Sequence, residues 1–173
     1  KSPFGTAVKT DGSKYIFHNP SGGKFSPDYK PITLGGFINP TDGNGVIAAQ
    51  GGEALGYTML LKDGKITFSI RSQGQRFTAV GPEIELNEWT HVVAILDRNA
   101  KLAFAVNGKK IQTDVKAAFL ASAPADAFTL GLDGGSLVGD YGQANGLKGK
   151  IADFRLYWGT LEKETLQGWV NPK

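Results

Sequence analysis

Apolar positions along the chain recur at every second residue or in short continuous runs, and almost nowhere at helical spacing. Runs of this kind, separated by Gly, Asn, Asp and Pro, predict strands at about 15–17, 31–39, 45–50, 57–61, 65–71, 76–80, 90–97, 101–106, 110–113, 128–132 and 149–157. Two connections, KDGK at 62–65 and NGK at 107–109, carry the Asp-Gly or Asn-Gly pair that a two-residue hairpin needs for positive φ. DRNAK at 97–101 reads as a slightly longer hairpin. Only TLEKETLQGW (160–169) has helical character, with room for about two turns. No internal repeat or linker divides the chain. The pattern predicts a single all-β domain over residues 1–173, a two-sheet antiparallel sandwich with one short C-terminal helical turn.

Alternation also sorts the faces. In LAFAV, Leu102, Phe104 and Val106 point one way and Ala103 and Ala105 the other. In IADFRLYW, strict alternation puts Ala152, Phe154, Leu156 and Trp158 on one face, read as core. Ile151, Asp153, Arg155 and Tyr157 then share the opposite face, which suits solvent or a ligand.

The bulk composition narrows the classes. With 40% hydrophobic and 20% charged residues, the 173-residue chain is globular and long enough for one substantial core. Lys and Arg number 19 against 16 Asp and Glu, a net charge of +3, and the basic residues form no long run. That balance argues against nucleic acid and against an anionic membrane as partners, while leaving an acidic polymer open. There is no cysteine, which excludes disulfides, thiolate metal sites and thiol nucleophiles without fixing a compartment. No apolar run is long enough for membrane insertion. The start, KSPFGTAVKTDG, has no signal-peptide apolar segment, so any such segment is expected to have been removed or to lie outside this chain.

Four segments in fixed order carry a resemblance to a known family: DGSKYIF with ITLGGFINP, NEWTHVVAILD, LAFAVNGKKI, and GLKGKIADFRLYWGTLEKETL. Together they resemble the laminin-G-like branch of the concanavalin A-like jelly rolls, the lectin/glucanase superfamily, across nearly the whole chain. The resemblance implies a jelly-roll connection of the two sheets. A narrower similarity lies in LGLDGGSLVGDYGQANGLKGKI (130–151), which resembles the C-terminal region of some bacterial arylsulfatases and the laminin-G-like domains attached to such enzymes.

Within that superfamily, glucanases place catalytic carboxylates on a strand as E-x-D-x-x-E, and EIELNEW (83–89) is close to it. Retaining hydrolysis needs two carboxyl groups about 5–5.5 Å apart, and Glu83 and Glu85 would share a face if they lay on a strand, with Glu88 joining through a bulge. Position 85 is Glu where the glucanases have Asp, and residues 86–88 run straight into WTHV, where the laminin-G-like pattern has a loop. The preceding strand offers only Phe77 as an aromatic. The segment is therefore read as a solvated acidic loop, and no catalytic residue is assigned.

The remaining candidates concern binding. His18 and His91 stand far apart, and His91, alternating with Trp89 and Val93, reads as a packed histidine. No G-x-S-x-G elbow supports a Ser-His-Asp triad, and SAPAD (122–126) lacks the arginine of a sulfatase nucleophile motif. The resemblance raises a possible structural calcium, held in related jelly rolls by an Asp at the start of the last strand. Alignment on RLY puts Ala152 at that place and Asp153 one residue on, which strict alternation would turn to the other face. Asp11, Asp133 and Asp140 remain alternative calcium ligands. The glycine-rich loop at 133–146 offers Asp133, Asp140, Tyr141, Gln143 and Asn145 to a sugar. Arg155 and Tyr157 form a second candidate surface, with a surface salt bridge as the competing reading.

The expectation is a non-catalytic carbohydrate-binding or adhesion-type module of a secreted or cell-surface bacterial protein. It would require no cofactor and bind a polysaccharide or glycan through preformed loops and a concave sheet. The alternative is a structural domain packed against a neighbouring enzyme domain such as a sulfatase, recognisable by a large exposed apolar patch. A glycoside hydrolase is the third reading.

Overall fold

A computed structural model describes residues 5–19, 28–142 and 146–170. Among them the chain forms two six-stranded sheets and one helix. The first sheet runs β1 (Ala7–Asp11), β12 (Lys148–Trp158), β3 (Ile32–Pro40), β8 (Thr90–Leu96), β9 (Lys101–Val106) and β10 (Lys109–Lys116). The second runs β2 (Phe17–Asn19), β11 (Phe128–Leu130), β4 (Gly45–Gly51), β5 (Gly56–Lys62), β6 (Lys65–Ser72) and β7 (Gln75–Glu83). All neighbours in both sheets pair antiparallel. The helix α1 spans Lys163–Val170. The two-sheet jelly-roll sandwich expected from the sequence is the observed fold.

The hairpins form where the turn chemistry predicts them. Asp63 and Gly64 sit at φ 51° and 76°, and Asn107 and Gly108 at 48° and 76°. A third such pair, Gln73-Gly74 between β6 and β7 (φ 51° and 80°), has no Asn or Asp to mark it in the sequence. Strand β1 lies outside the predicted strands: AVKTD is mostly polar and exposed, as befits an edge strand.

The main core lies between the sheets, with Leu34, Ile47, Tyr57, Phe68, Ile70, Val92 and Phe104 all shielded from solvent. Leu102, Phe104 and Val106 face it, as alternation requires. Ala103 and Ala105 join a second cluster on the outer face of the first sheet, with Phe37, Val93, Ile95 and Ala152 under Leu166 and Trp169 of α1. A third, small cluster of Val46, Ala49 and Leu60 sits on the outer face of the second sheet, with Tyr141 packed on it. Each sheet thus has an apolar patch on its outside, one under a helix and one under a loop.

Strand β12 departs from strict alternation. Its register with β3 passes from Ala152↔Phe37 to Arg155↔Gly35, so Asp153 and Phe154 together oppose Gly36. Asp153 adopts φ 46°, the left-handed conformation found at bulges. A Cβ on Gly36 would lie 2.9 Å from the Phe154 Cα and 3.0 Å from the Ala152 carbonyl oxygen, so glycine is what admits the bulge. The bulge corrects the sequence assignment at two positions: Ile151, expected outside, faces the interior, and Ala152, expected inside, faces α1. Trp158, expected inside, is exposed at the end of the strand. Phe154 and Leu156 pack inward, and Arg155 and Tyr157 outward, as expected.

Candidate functional site

Helix α1 covers the central apolar part of the first sheet's outer face, so the outer face of the second sheet is the more open of the two. Alternation along its strands sends Tyr57, Met59, Ile66, Phe68, Ile70 and Ala79 into the core. The same alternation sends Lys62, Lys65, Thr67, Ser69, Arg76, Thr78 and Val80 outward. These outward residues line a groove of about 390 Å³ together with Leu60, Asp63 and Asp140. Its floor is short and hydroxylated: Ser69 and Thr78 are cross-strand partners whose hydroxyls lie 2.8 Å apart. Its walls are longer and mostly charged, with Lys62, Lys65 and Arg76 set against Asp63 and Asp140.

The glycine-rich loop borders this groove and is pinned from several sides. The Tyr141 hydroxyl donates to the Asp133 carboxylate, and Tyr141 rests on Val46, Ala49 and Leu60. Asp133 is buried and also accepts from the Gly135 N–H at 3.2 Å. Burial raises the Asp133 carboxyl, and the Tyr141 hydrogen bond only partly offsets it. Burial and the neighbouring Asp133 carboxylate together push the Tyr141 phenol well above its usual range. Arg71 of β6 holds the loop's middle, its Nε donating to the Val138 carbonyl at 2.8 Å. Val138 and Gly139 are buried, whereas the Asp140 side chain is 68% exposed and ion-pairs with Lys62. The Lys62 ammonium, by hydrogen bond and charge, lowers the Asp140 carboxyl, and Arg76 adds to the effect from across the groove.

The structure therefore divides the candidates taken from the loop. Asp140 stands on the groove wall. Asp133 and Tyr141 satisfy one another and hold the loop against the sheet. Gln143 and Asn145 lie outside the described residues.

Arg155 and Tyr157 sit on the other sheet. Arg155 makes a two-pronged ion pair with Asp153, at 2.8 and 2.7 Å, and its guanidinium lies 5.1 Å from the Trp169 ring. The Trp169 indole N–H donates to Asp153 at 3.0 Å, and Tyr157 meets the same ring edge-on at 5.8 Å. The hydrogen bond from Arg155 to Asp153 raises the guanidinium further. The cluster fastens α1 to β12, so the salt-bridge reading of Arg155 describes what it does.

His91 is packed, as its strand position implied. It has no solvent exposure and lies between Phe37, 4.8 Å away, and Trp169, 4.7 Å away. Neither ring nitrogen has a hydrogen-bond partner. Desolvation lowers its pKa to about 4, the attraction of Asp153 and the repulsion of Arg155 being smaller and opposed. His18, on the other sheet, is exposed and stacks on Tyr15 at 5.1 Å.

The acidic stretch does not form a catalytic strand. Strand β7 ends at Glu83, and Glu85 and Glu88 stand in the loop beyond it, all three exposed. The Ile84 N–H donates to Gly64 at 2.8 Å, and the N–H of Asn87, at φ 63°, donates to Pro40 at 2.7 Å, fixing that loop. None of the three carboxylates lines the groove.

Among the described residues no three His, Asp or Glu side chains gather closely enough to hold a metal ion. Asp11 is engaged by Ser13, Asp133 by Tyr141, Asp140 by Lys62 and Asp153 by Arg155 and Trp169. These carboxylates do not fit a calcium cage, which requires several oxygens converging on one point.

The Laminin_G_3 family of the concanavalin A-like lectin/glucanases superfamily matches residues 10–167. The chain belongs to this superfamily. The laminin-G-like domain is also similar to solved structures. To mouse laminin alpha1 chain domains LG4-5 it is 16% identical with a TM-score of 0.69, covering 91% of this chain and 43% of that one. To the Ruminococcus gnavus IT-sialidase CBM40 bound to α2,3-sialyllactose it is 15% identical with a TM-score of 0.64, covering 82% and 83%. To the leech intramolecular trans-sialidase complexed with 2,7-anhydro-Neu5Ac it is 17% identical with a TM-score of 0.66, covering 96% of this chain and 27% of that one. At these identities the likeness is one of fold. No curated protein sequence matches the laminin-G-like domain.

Sequence reasoning missed Lys62, Lys65, Arg76, Thr67 and Thr78. Apart from Lys62, at the end of GYTMLLK, their signal was present in KITFSIRS and QRFT, where every second residue is polar. Such alternation alone does not separate a binding face from any solvated one. No helix among the described residues is long and apolar enough to cross a membrane.

Proposed function

We propose that this domain is a non-catalytic glycan-binding module of adhesion type, part of a secreted or cell-surface protein, and that the second sheet's outer groove is its binding site. The groove carries the reading: a rim of long charged side chains around a short floor, where the Thr78 hydroxyl is partly exposed, offers hydrogen bonds to a polyhydroxylated ligand. The structural likeness to a CBM40 bound to sialyllactose supports the ligand class, and the exposed carboxylates of 83–88, none of which lines the groove, support binding without bond cleavage. The test is affinity electrophoresis of the domain through gels containing neutral, sulfated or uronic-acid polysaccharides, with calcium or EDTA. Wild type is compared with Thr78→Phe, which fills the groove. Selective retardation that Thr78→Phe abolishes, at unchanged melting temperature, supports the site. Equal retardation of both proteins places binding elsewhere, and no retardation across the panel removes the function.

One observation favours the packing alternative. A second groove of about 390 Å³ opens between the edges of the two sheets and is lined mainly by apolar residues, among them Ile16, Phe128, Phe154 and Leu156. Val8 and Phe17 on its rim are 45% and 46% exposed. Apolar-dye binding lost in Phe17→Asp, with no polysaccharide retarding the wild type, would move the function to this face.

A further inference from the structure

The glycan groove contains a carboxylate of its own. Asp140 projects from a loop held on both sides: Val138 is buried and tied to Arg71, Gly139 is buried, and Tyr141 is clamped to Asp133 and the sheet. A Cβ on Gly139 would come within 2.6 Å of the Tyr141 ring and 2.9 Å of the Thr58 methyl, so this arc has little freedom to move. Its one strongly exposed side chain is nonetheless delivered onto Lys62 of β5, while Arg76 of β7 acts on it through charge from across the groove. The cations outnumber the acids around the groove, Lys62, Lys65 and Arg76 against Asp63 and Asp140.

We propose that Asp140 is a built-in stand-in for the ligand, and that the groove takes a sugar ring bearing a carboxylate, which displaces Asp140 from Lys62. This rests on the groove being the glycan site. The Lys62 ammonium, with its cross-strand partner Lys65 beside it, offers a carboxylate a charge-assisted hydrogen bond, and Arg76 adds positive charge from across the groove. On the floor, the half-buried Thr78 hydroxyl, held by Ser69 beneath it, is the one placed to meet the ring's own hydroxyls. Exchange is feasible because an exposed ion pair is weak, so releasing Asp140 opposes binding by no more than about a fivefold factor. The arrangement selects for charge. A neutral sugar leaves Asp140 on Lys62 and gains nothing from the cations, whereas an acidic one exchanges one carboxylate for another.

The experiment is calorimetric titration of wild type, Asp140→Asn and Lys62→Gln/Arg76→Gln with 3′-sialyllactose, a tetragalacturonate and lactose. Asp140→Asn should bind one or both acidic sugars about three- to fivefold tighter and leave lactose unchanged. The double variant should lose at least about tenfold for the same acidic sugars. Which of the two gains separates a sialic-acid from a uronic-acid source. Equal or weaker acidic-sugar binding by Asp140→Asn, with glycan binding intact in the wild type, overturns the stand-in role alone. Tight binding of lactose by all three proteins does the same. Absence of binding by wild type and Asp140→Asn alike removes both this inference and the groove as a glycan site.

Discussion

Protonation of His91 should undermine the fold. The imidazole is fully buried between Phe37 and Trp169, with no hydrogen-bond partner on either ring nitrogen and with the Asp153–Arg155 pair supplying nearly balanced charges beside it. Its pKa falls from 6.5 to about 4 on folding. The unfolded chain therefore binds the proton more readily, and the stabilisation from a neutral His91 is complete above pH 6.5 and lost as pH falls towards 4. Each tenfold weakening of proton affinity is worth about 1.4 kcal/mol, so the loss is about 2 kcal/mol at pH 5 and about 3 kcal/mol once both states are protonated. Asp133 works in the opposite direction, since burial raises its carboxyl and its protonation favours the folded state as pH falls. The comparison with His91→Phe isolates the imidazole. Urea unfolding at pH 7.5 and pH 5 should show the wild type losing about 2 kcal/mol more than the variant. Proton NMR titration of the His91 ring should give a value near 4. A ring titrating at 6 or above, or an acid loss equally large in His91→Phe, would refute the reasoning.

Other consequences follow from the same geometry. Trp169→Ala uncovers His91, removes the indole donor from Asp153 and takes away the main anchor of α1, and should cost about 3–5 kcal/mol in urea unfolding with loss of the helical circular-dichroism signal. Tyr141→Phe leaves the buried Asp133 without its hydroxyl donor and should cost about 1–3 kcal/mol, with faster amide exchange at Val138–Gly139. Gly35→Ala would put a Cβ 2.1 Å from the Val92 carbonyl oxygen in the central strand, so a drop in soluble yield or a loss of at least about 2 kcal/mol is expected. Glu83→Gln/Glu85→Gln should leave stability within about 0.5 kcal/mol and polysaccharide retardation unchanged, because both side chains are exposed and neither lines the groove.

The strands and hairpins were legible because each depends on neighbours in sequence. Leu102, Phe104 and Val106 had to share a face, and Asp63-Gly64 and Asn107-Gly108 had to turn the chain. The bulge was not legible, because its cause lies across the sheet: Gly36 leaves the space, and Asp153 takes the left-handed backbone there. The candidate site was half visible. Asp140 was marked by its loop and the groove's strands by their alternation, yet the contact between them joins residues 78 positions apart. The clasp of Trp169 on Asp153 and His91 is likewise set by how the chain returns to the first sheet, and local pattern carries no trace of that return.

The extra residue in β12 works as a phase shifter. Before it, Ile151 points to the interior on one beat of the strand; after it, Phe154 and Leu156 point there on the other. Without that shift, a strand keeping Ile151 inside would send Phe154 and Leu156 into water and turn Arg155 and Tyr157 into the core. Asp153, the residue that breaks step, is also the one that receives Trp169 and Arg155. The irregularity and the lid are thus one device: a single out-of-step residue in an eleven-residue strand both keeps the interior apolar and gives the closing helix its catch.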